Sequence, residues 1–246
     1  VEFRGASAYN QPDFFDQYMN RRNRQDSPNN AIEGPIIHEL IGDIQDKCIL
    51  DLGCGDARFG KELLHQGAKH YTGVEGSEQM AEAARSNLIG QNGNVLCETI
   101  EAHTFPKEVF DLVTSRFVLH YISDVCRIFE NIHQTLKENG KFIFSIQHPL
   151  TTSAFASKEH GDKRGSWLVD DYFLEGERKE PWIDQTVVKY HRTTEHYFSA
   201  LRQAGFTVLD LREGTPKREH FSIEEEFLRR QRIPVVLVFS CVKDIG

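Results

Sequence analysis

The sequence predicts an α/β domain built on a doubly wound, largely parallel sheet. Three observations carry this. Cys48-Ile49-Leu50-Asp51-Leu52 is an apolar run that ends in the turn Gly53-Cys54-Gly55, and a helical pattern begins at once. A second apolar run, Lys69 to Glu75, ends in an acid 24 residues beyond Asp51. Short apolar runs then alternate with amphipathic helical stretches as far as Ile146. That alternation marks buried parallel strands joined by crossover helices.

The glycine turn sets the ligand class. A strand passing directly into a helix needs glycine, because the backbone bends sharply and must let a ligand come close. The free N–H groups of the helix start favour the acidic end of that ligand. A nicotinamide site wants a small third residue in Gly-x-Gly-x-x-Gly/Ala, and Arg58 stands there instead. Asp51 and Asp56 make the turn acidic, so a pyrophosphate would be repelled. A ligand with an ammonium and a sulfonium, such as S-adenosylmethionine (SAM), would be attracted. An ordinary strand-to-helix turn is the competing reading, and the second acid at Glu75 speaks against it.

Ile49-Leu50-Asp51-Leu52-Gly53-Cys54-Gly55 resembles the first motif of the class I SAM-dependent methyltransferases. The later blocks follow the family's order through Ile146, and the last helix and two strands fit too. The N-terminal segment, residues 1–45, and an insert over 148–190 fall outside the likeness. Within the family the chain is most similar to the small-molecule group that includes quinone-biosynthesis enzymes. The resemblance implies a single Rossmann-like domain over 1–246. Its seven-stranded sheet would be mostly parallel with an antiparallel last strand and helices on both faces. It also implies SAM as cofactor, S-adenosylhomocysteine (SAH) as product, and Asp51, Gly53, Cys54 and Gly55 at the cofactor.

The elements follow in order. Phe14, Phe15, Tyr18 and Met19 sit at helical spacing, so a short amphipathic helix is expected, with Arg21, Arg22 and Arg24 after it. This segment reads either as a solvated basic turn or as a lid whose Tyr18 or Arg22 reaches the SAM carboxylate. A second helix is expected from Glu33 to Ile41, with Pro35 in its first turn. Cys48 to Leu52 is the first strand, and the helix from Ala57 to Gln66 closes at Gly67. Glu75, followed by Gly76, matches the family's acid for the ribose hydroxyls, which lies about 20 residues on. Ser77 caps a helix to Asn87. Met80 in its first turn either packs on the adenine or is plain core.

Asn94 to Glu98 is a short third strand. The family carries an Asp after it for the adenine amino group, and Thr99 stands in that place. The Thr99 hydroxyl, the Ile100 backbone, or Glu98 and Glu101 would have to substitute. Phe110 to Ser115 is the fourth strand, and Ser115 to Phe117 should face the methionine part of SAM. No Asn/Asp-Pro-Pro-Tyr/Phe motif follows, which argues against DNA-base or glutamine-amide acceptors. His120 reads as structural. Ser123 is expected to cap a helix with Val125, Ile128, Phe129, Ile132 and Leu136 on one face, ended by Asn139-Gly140. Lys141 to Ile146 is strand five.

Leu150 to Lys189 shows no strong period but holds Trp167, Tyr172, Phe173 and Trp182 among many charges. So long a stretch is expected to do something, either as a self-packed surface excursion or as a substrate-covering lid. Thr193 caps a helix with Tyr197, Phe198, Leu201 and Ala204 inward, closed by Gly205. Phe206 to Leu211 and Val235 to Val242 are the last strands, with a charged helix over Ser222 to Arg232 between them.

Composition narrows the classes. At 246 residues the chain suits one well-buried domain. The longest apolar stretch, Ile233 to Val242, is too short to span a bilayer, and Asn10-Gln11-Pro12-Asp13 interrupts any signal-peptide core. Five scattered cysteines without a Cys-x-x-Cys pair read as reduced cytoplasmic thiols. The net charge of −8 argues against nucleic acid as a partner. His191 and His196, five apart, share no helical face, so no metal site is expected.

A methyl transfer to a hydroxyl also needs a base. His148, His191, Tyr172 and Glu175 are the candidates. The leading expectation is a methyltransferase for a small-molecule acceptor. An RNA methyltransferase, a non-catalytic SAM-binding module and an NAD-dependent dehydrogenase are the alternatives.

Overall fold

The computed structural model describes residues 2–156, 166–183 and 185–244. The central half of the chain builds β2 (Cys48–Leu52), α3 (Arg58–His65), β3 (His70–Glu75), α4 (Glu78–Asn87) and β4 (Gly93–Cys97). It continues through β5 (Phe110–Arg116), α5 (Val125–Thr135) and β6 (Leu136–Gln147). After the insert come α7 (Thr194–Gln203), β9 (Phe206–Arg212), α8 (Glu224–Arg230) and β10 (Val236–Lys243).

These strands form one seven-stranded sheet in the order β4-β3-β2-β5-β6-β10-β9. β10 runs antiparallel to both of its neighbours, and the other pairs are parallel. The sheet is Rossmann-like, with its order reversing between β2 and β5. Ligands in such sheets sit outside the carboxyl ends of the strands at that reversal. Separate apolar layers cover the two faces. Leu50, Leu52, Phe129, Phe142, Phe144 and Leu201 belong to one, and Ile37, Ile49, Leu63, Tyr71, Ala84 and Ile143 to the other. Strand residues that alternate between two buried faces explain the near-continuous apolar runs in the sequence.

The N-terminal segment forms β1 (Glu2–Arg4), a 3-10 turn over Gly5–Asn10, α1 (Pro12–Arg22), a π-helical turn over Asn29–Glu33, and α2 (Gly34–Ile41). The expected helices are there, with Pro35 in the first turn of α2. The strand β1 has no counterpart in the sequence reading. Nor do α6 (Pro149–Thr152) and the hairpin β7 (Gly176–Trp182) and β8 (Gln185–His191), which stand where the sequence showed no period. β1 adds to this hairpin in parallel, with Phe3 opposite Val187. The hairpin escaped notice because β7 reads Glu-Arg-Lys-Glu-Pro, a charged edge strand. Residues 157–165 and 184 of the expected insert lie outside the described residues.

Several boundaries differ from expectation. Asp124 rather than Ser123 caps α5, its carboxylate accepting from the Arg127 N–H at 3.1 Å. The Ser123 carbonyl instead accepts from Arg192 at 2.7 Å. α5 ends at Thr135, and the strand begins at Leu136 rather than Lys141. The apolar face runs through this boundary, so periodicity did not mark it. Phe198 is 41% exposed, because α7 turns Tyr197, Ala200 and Leu201 inward at i, i+3 and i+4. Among the described residues, no helix is long and apolar enough to cross a membrane.

Candidate active site

A cavity of about 490 Å³ opens at the carboxyl ends of β2, β3 and β5. Its floor is the glycine turn. The amides of Gly53 and Cys54 both donate to the Val74 carbonyl, at 2.8 and 3.1 Å, which ties the turn to β3. Gly53 has φ +74°, and a Cβ there would lie 2.4 Å from Val118. Gly55 has φ +57°, and no atom lies within 4 Å of where its Cβ would be. The turn is thus closed beneath Gly53 and open above Gly55. Both positions use the left-handed conformation that glycine adopts without strain.

Glu75 stands beside that open space at the tip of β3. Its Oε2 accepts from the Gly55 N–H at 2.9 Å and its Oε1 from the Ser77 N–H at 2.9 Å. Burial pushes the Glu75 carboxyl above its ordinary range, and the Ser77 and Gly55 amides oppose the shift. Ser77 caps α4 as expected, its Oγ accepting from the Met80 N–H. Gly76, Met80, Thr99, Ile100 and Glu101 complete this side of the cavity. Glu98 is turned away and holds His103 Nδ1 at 2.7 Å.

The far side draws on the segment expected there, Ser115 to Phe117, but the partner of Arg116 was not visible in the sequence. Arg116, Phe117 and Val118 leave β5 into the cavity wall. Glu33, fully buried, grips the Arg116 guanidinium at Nε (2.9 Å) and through a second contact at the terminal nitrogen, and also accepts from Ser145 Oγ at 2.8 Å. The guanidinium lies 4.4 Å over the Phe59 ring. Phe117 has φ +57°, a conformation that is strained for a bulky residue. Its N–H is held by the Ser145 carbonyl at 2.9 Å. Strain of this kind gathers at functional sites.

The N-terminal segment covers the opening. Ala6, Tyr9 and Tyr18 reach the cavity, and Asn10 accepts from Ser77 Oγ at 2.8 Å. Trp182 of the hairpin meets Phe14 and Tyr18 edge-on, at 5.4 and 5.8 Å. Such aromatic pairs contribute roughly 0.5–1.5 kcal/mol each beyond burial.

Tyr9, Tyr18, Phe117 and Tyr121 also line a second space, of about 290 Å³, so they form a partition between the two. The smaller space is bounded by arginines from the ends of α1 and α8, and by His120, Gln147, Glu180 and Trp182. Lys189, fully buried, contacts Glu180 and donates to Gln147 Oε1 at 3.0 Å. Burial and the Lys189 charge push His120 well below its ordinary range, so it is neutral at physiological pH.

Several expected site residues stand elsewhere. Asp51 does not line the cavity. It lies beneath the turn, where Tyr71 and Thr114 donate to its two oxygens at 2.7 and 2.9 Å, and burial raises its carboxyl. Cys54 is buried behind the turn against Gly73, where a Cβ would come within 2.6 Å of its sulfur. Ser115 is fully buried and donates to the Leu52 carbonyl at 3.0 Å. Arg22 lines only the smaller space, 4.0 Å from Asp56.

None of the candidate bases lines either space. His148 packs between the Leu150 amide (3.2 Å) and Glu213 (3.1 Å). His191 is fully buried between Thr152 (2.9 Å) and the Tyr172 carbonyl (2.8 Å). The Tyr172 hydroxyl accepts from the Thr194 N–H at 3.3 Å. Glu175 caps the entry to α7 through the Thr193 N–H and pairs with His196. These are supports of the insert.

The fold, the glycine turn and the acid at the tip of β3 define a nucleoside-binding α/β protein. A family model described as a methyltransferase domain matches residues 50–144. An uncharacterized protein of Haemophilus influenzae is 33% identical over 84% of this chain and 85% of its own. A ubiquinone biosynthesis O-methyltransferase of Coxiella burnetii is 33% identical over 42% of this chain and 44% of its own. A crystal structure of an S-adenosylmethionine-dependent methyltransferase from Mesorhizobium loti superposes with a TM-score of 0.80 at 29% identity, covering 88% of this chain and 100% of the other.

The chain belongs to the class I SAM-dependent methyltransferases. It is an enzyme of that class, and SAM is its cofactor. The larger cavity fits that group, since it leaves the space above Gly55 empty of protein atoms and presents the Glu75 carboxylate beside it.

Proposed function

We propose that the enzyme methylates a small-molecule acceptor, with SAM held in the larger cavity and SAH left there afterwards. The observation that carries this is the Glu75 carboxylate bonded to the Gly55 amide at the cavity wall. Glu75 accepts from the ribose hydroxyls with its remaining lone pairs. Gly53 and Gly55 let the backbone approach the methionine part, and Tyr18 and Arg116 border the same region. Met80, Gly76, Thr99, Ile100 and Glu101 surround the adenine. Asp51 acts from behind, fixing the turn through Tyr71 and Thr114.

When bound, SAM supplies a methyl group already activated on a sulfonium. The chain's own part is alignment and exclusion of water. Tyr9, Tyr18, Phe117 and Tyr121 border both spaces, and the acceptor meets the cofactor's methyl group between these rings. The N-terminal segment and the hairpin β7–β8 act as the cover.

The acidic balance and the covered opening favour a small acceptor over RNA, and the quinone-pathway relative points the same way. The protein is to be incubated with methyl-labelled SAM and fractionated small metabolites. Label entering a low-molecular-mass compound supports the reading. Label appearing only in RNA or protein fractions would overturn it.

A further inference from the structure

We propose that the smaller space is the acceptor site and that it selects a small molecule bearing an oxyanion, a carboxylate or a phosphate. This rests on the reading of the larger cavity as the cofactor site. Arg21, Arg22 and Arg24 at the end of α1, and Arg229 and Arg230 at the end of α8, all line the space of about 290 Å³. Five arginines in one small hollow stand out on a chain whose net charge is −8.

Among the described residues, the neighbouring acids are already engaged. Glu180 is the acid on the wall, and Lys189 already holds it. Asp56 is shared between Arg22 at 4.0 Å and Arg58 at 3.0 Å. Asp26 stands 3.7 Å from Arg24, and Glu226 stands 3.5 Å from Arg229. Arg230 Nε is buried and has no hydrogen-bond partner among the described residues. Burial and the charge of Arg229 pull the Arg230 guanidinium down to about 10, so it stays protonated at neutral pH.

A buried N–H donor without an acceptor, such as Arg230 Nε, is costly. An oxyanion entering the hollow supplies that acceptor, and a planar guanidinium binds carboxylate or phosphate through two parallel bonds. The aromatic partition and Trp182 line the same space. An acceptor with a flat apolar body and an anionic end is therefore held at the arginines, with its other end toward the cofactor. The volume sits at the lower limit of ligand pockets, roughly 300–1,000 Å³, which suits a molecule of about one ring.

The test uses the full chain and calorimetry. SAH is titrated first. The SAH-saturated protein is then titrated separately with benzoate, phenyl phosphate and the neutral benzamide. The expected result is saturable binding of benzoate or phenyl phosphate, the tighter of the two naming the oxyanion, with benzamide at least about tenfold weaker. Arg230→Gln is expected to weaken the anion about tenfold and to leave SAH affinity within about twofold. Should Arg230→Gln fail to fold, Arg21→Gln on the exposed rim gives the same comparison with a smaller loss.

Equal binding of benzamide, no binding of either anion to the SAH complex, or an arginine variant that weakens SAH as much as the anion would overturn the proposal. The last result would assign the arginines to the cofactor's own carboxylate. Failure of the unaltered protein to bind SAH is read in the first titration and removes the cofactor reading together with this one.

Discussion

The Glu75 carboxylate accepts the Gly55 amide proton at 2.9 Å and so joins the tip of β3 to the glycine turn after β2. The contact does two things at once. It fixes the turn in the left-handed conformation that leaves space above Gly55, and it aims a buried carboxylate at that space. Each oxygen of Glu75 takes one backbone donor and keeps capacity for another.

Replacing Glu75 by Gln keeps the size, removes the charge and sets an NH2 against one of the two backbone N–H groups its oxygens accept. Hydrogen bonds to a charged group contribute roughly 1.5–3 kcal/mol, so SAM and SAH should bind roughly ten- to a hundredfold more weakly. Calorimetry checks this. Unchanged affinity would take Glu75 out of the cofactor site.

Gly55→Ala separates binding from stability. The left-handed backbone costs an alanine about 1–2 kcal/mol, a modest loss of Tm. No protein atom opposes the new methyl group, which enters the space above the turn. SAH affinity should therefore fall much further than stability does. Thermal melts with and without SAH measure both quantities, and a ligand-induced rise in Tm equal to that of the unaltered protein would contradict the placement.

The buried pair of Glu33 and Arg116 should carry stability rather than binding. Glu33→Ala leaves the Arg116 guanidinium without its partner, and Ser145 Oγ loses an acceptor. Breaking a buried pair from one side costs about 3–5 kcal/mol. A denaturant midpoint within experimental error of the unaltered protein would show that Arg116 finds solvent instead.

Acidification should weaken the cofactor site from a higher pH than an ordinary carboxylate allows. Burial raises the Glu75 carboxyl above its usual value of 4.5. Its proton is taken up as pH falls through that raised value, and the protonated group loses its charge and one acceptor oxygen. The sign for stability is opposite. A carboxyl raised on folding stabilises most below its unfolded value and loses that contribution as pH rises through the folded one. SAH affinity should thus decline on acidification while the cost of burying Glu75 is relieved. A Glu75→Gln variant should show a flatter affinity profile, and an identical profile would contradict the assignment.

What was legible in the sequence was local. The glycine turn, the acid ending β3 and the Ser77 cap each show as a short run at one place in the chain, so spacing reveals them. Asp51 looked like a cofactor contact because its position in the run says nothing of which way its side chain turns. Only the pairing of β2 with β3 and β5 sets Tyr71 and Thr114 against it. Glu33 and Arg116 lie 83 residues apart, and no period links them. The partition of Tyr9, Tyr18, Phe117 and Tyr121 likewise draws on separate elements. His148 and His191 drew notice as bases through residue type alone, while burial and fixed partners make them structural. The hairpin β7–β8 was hidden by a charged edge that its partner strand makes sense of only in three dimensions.

The central claim is that the acidic tip of β3 and the open glycine turn hold a cationic nucleoside. Calorimetric titration of the 246-residue chain with SAM tests it most directly. One equivalent of SAM should bind saturably, SAH should compete for the same site, and NADH should not. Absence of saturable heat with both SAM and SAH, in a protein shown to be folded, would contradict the account.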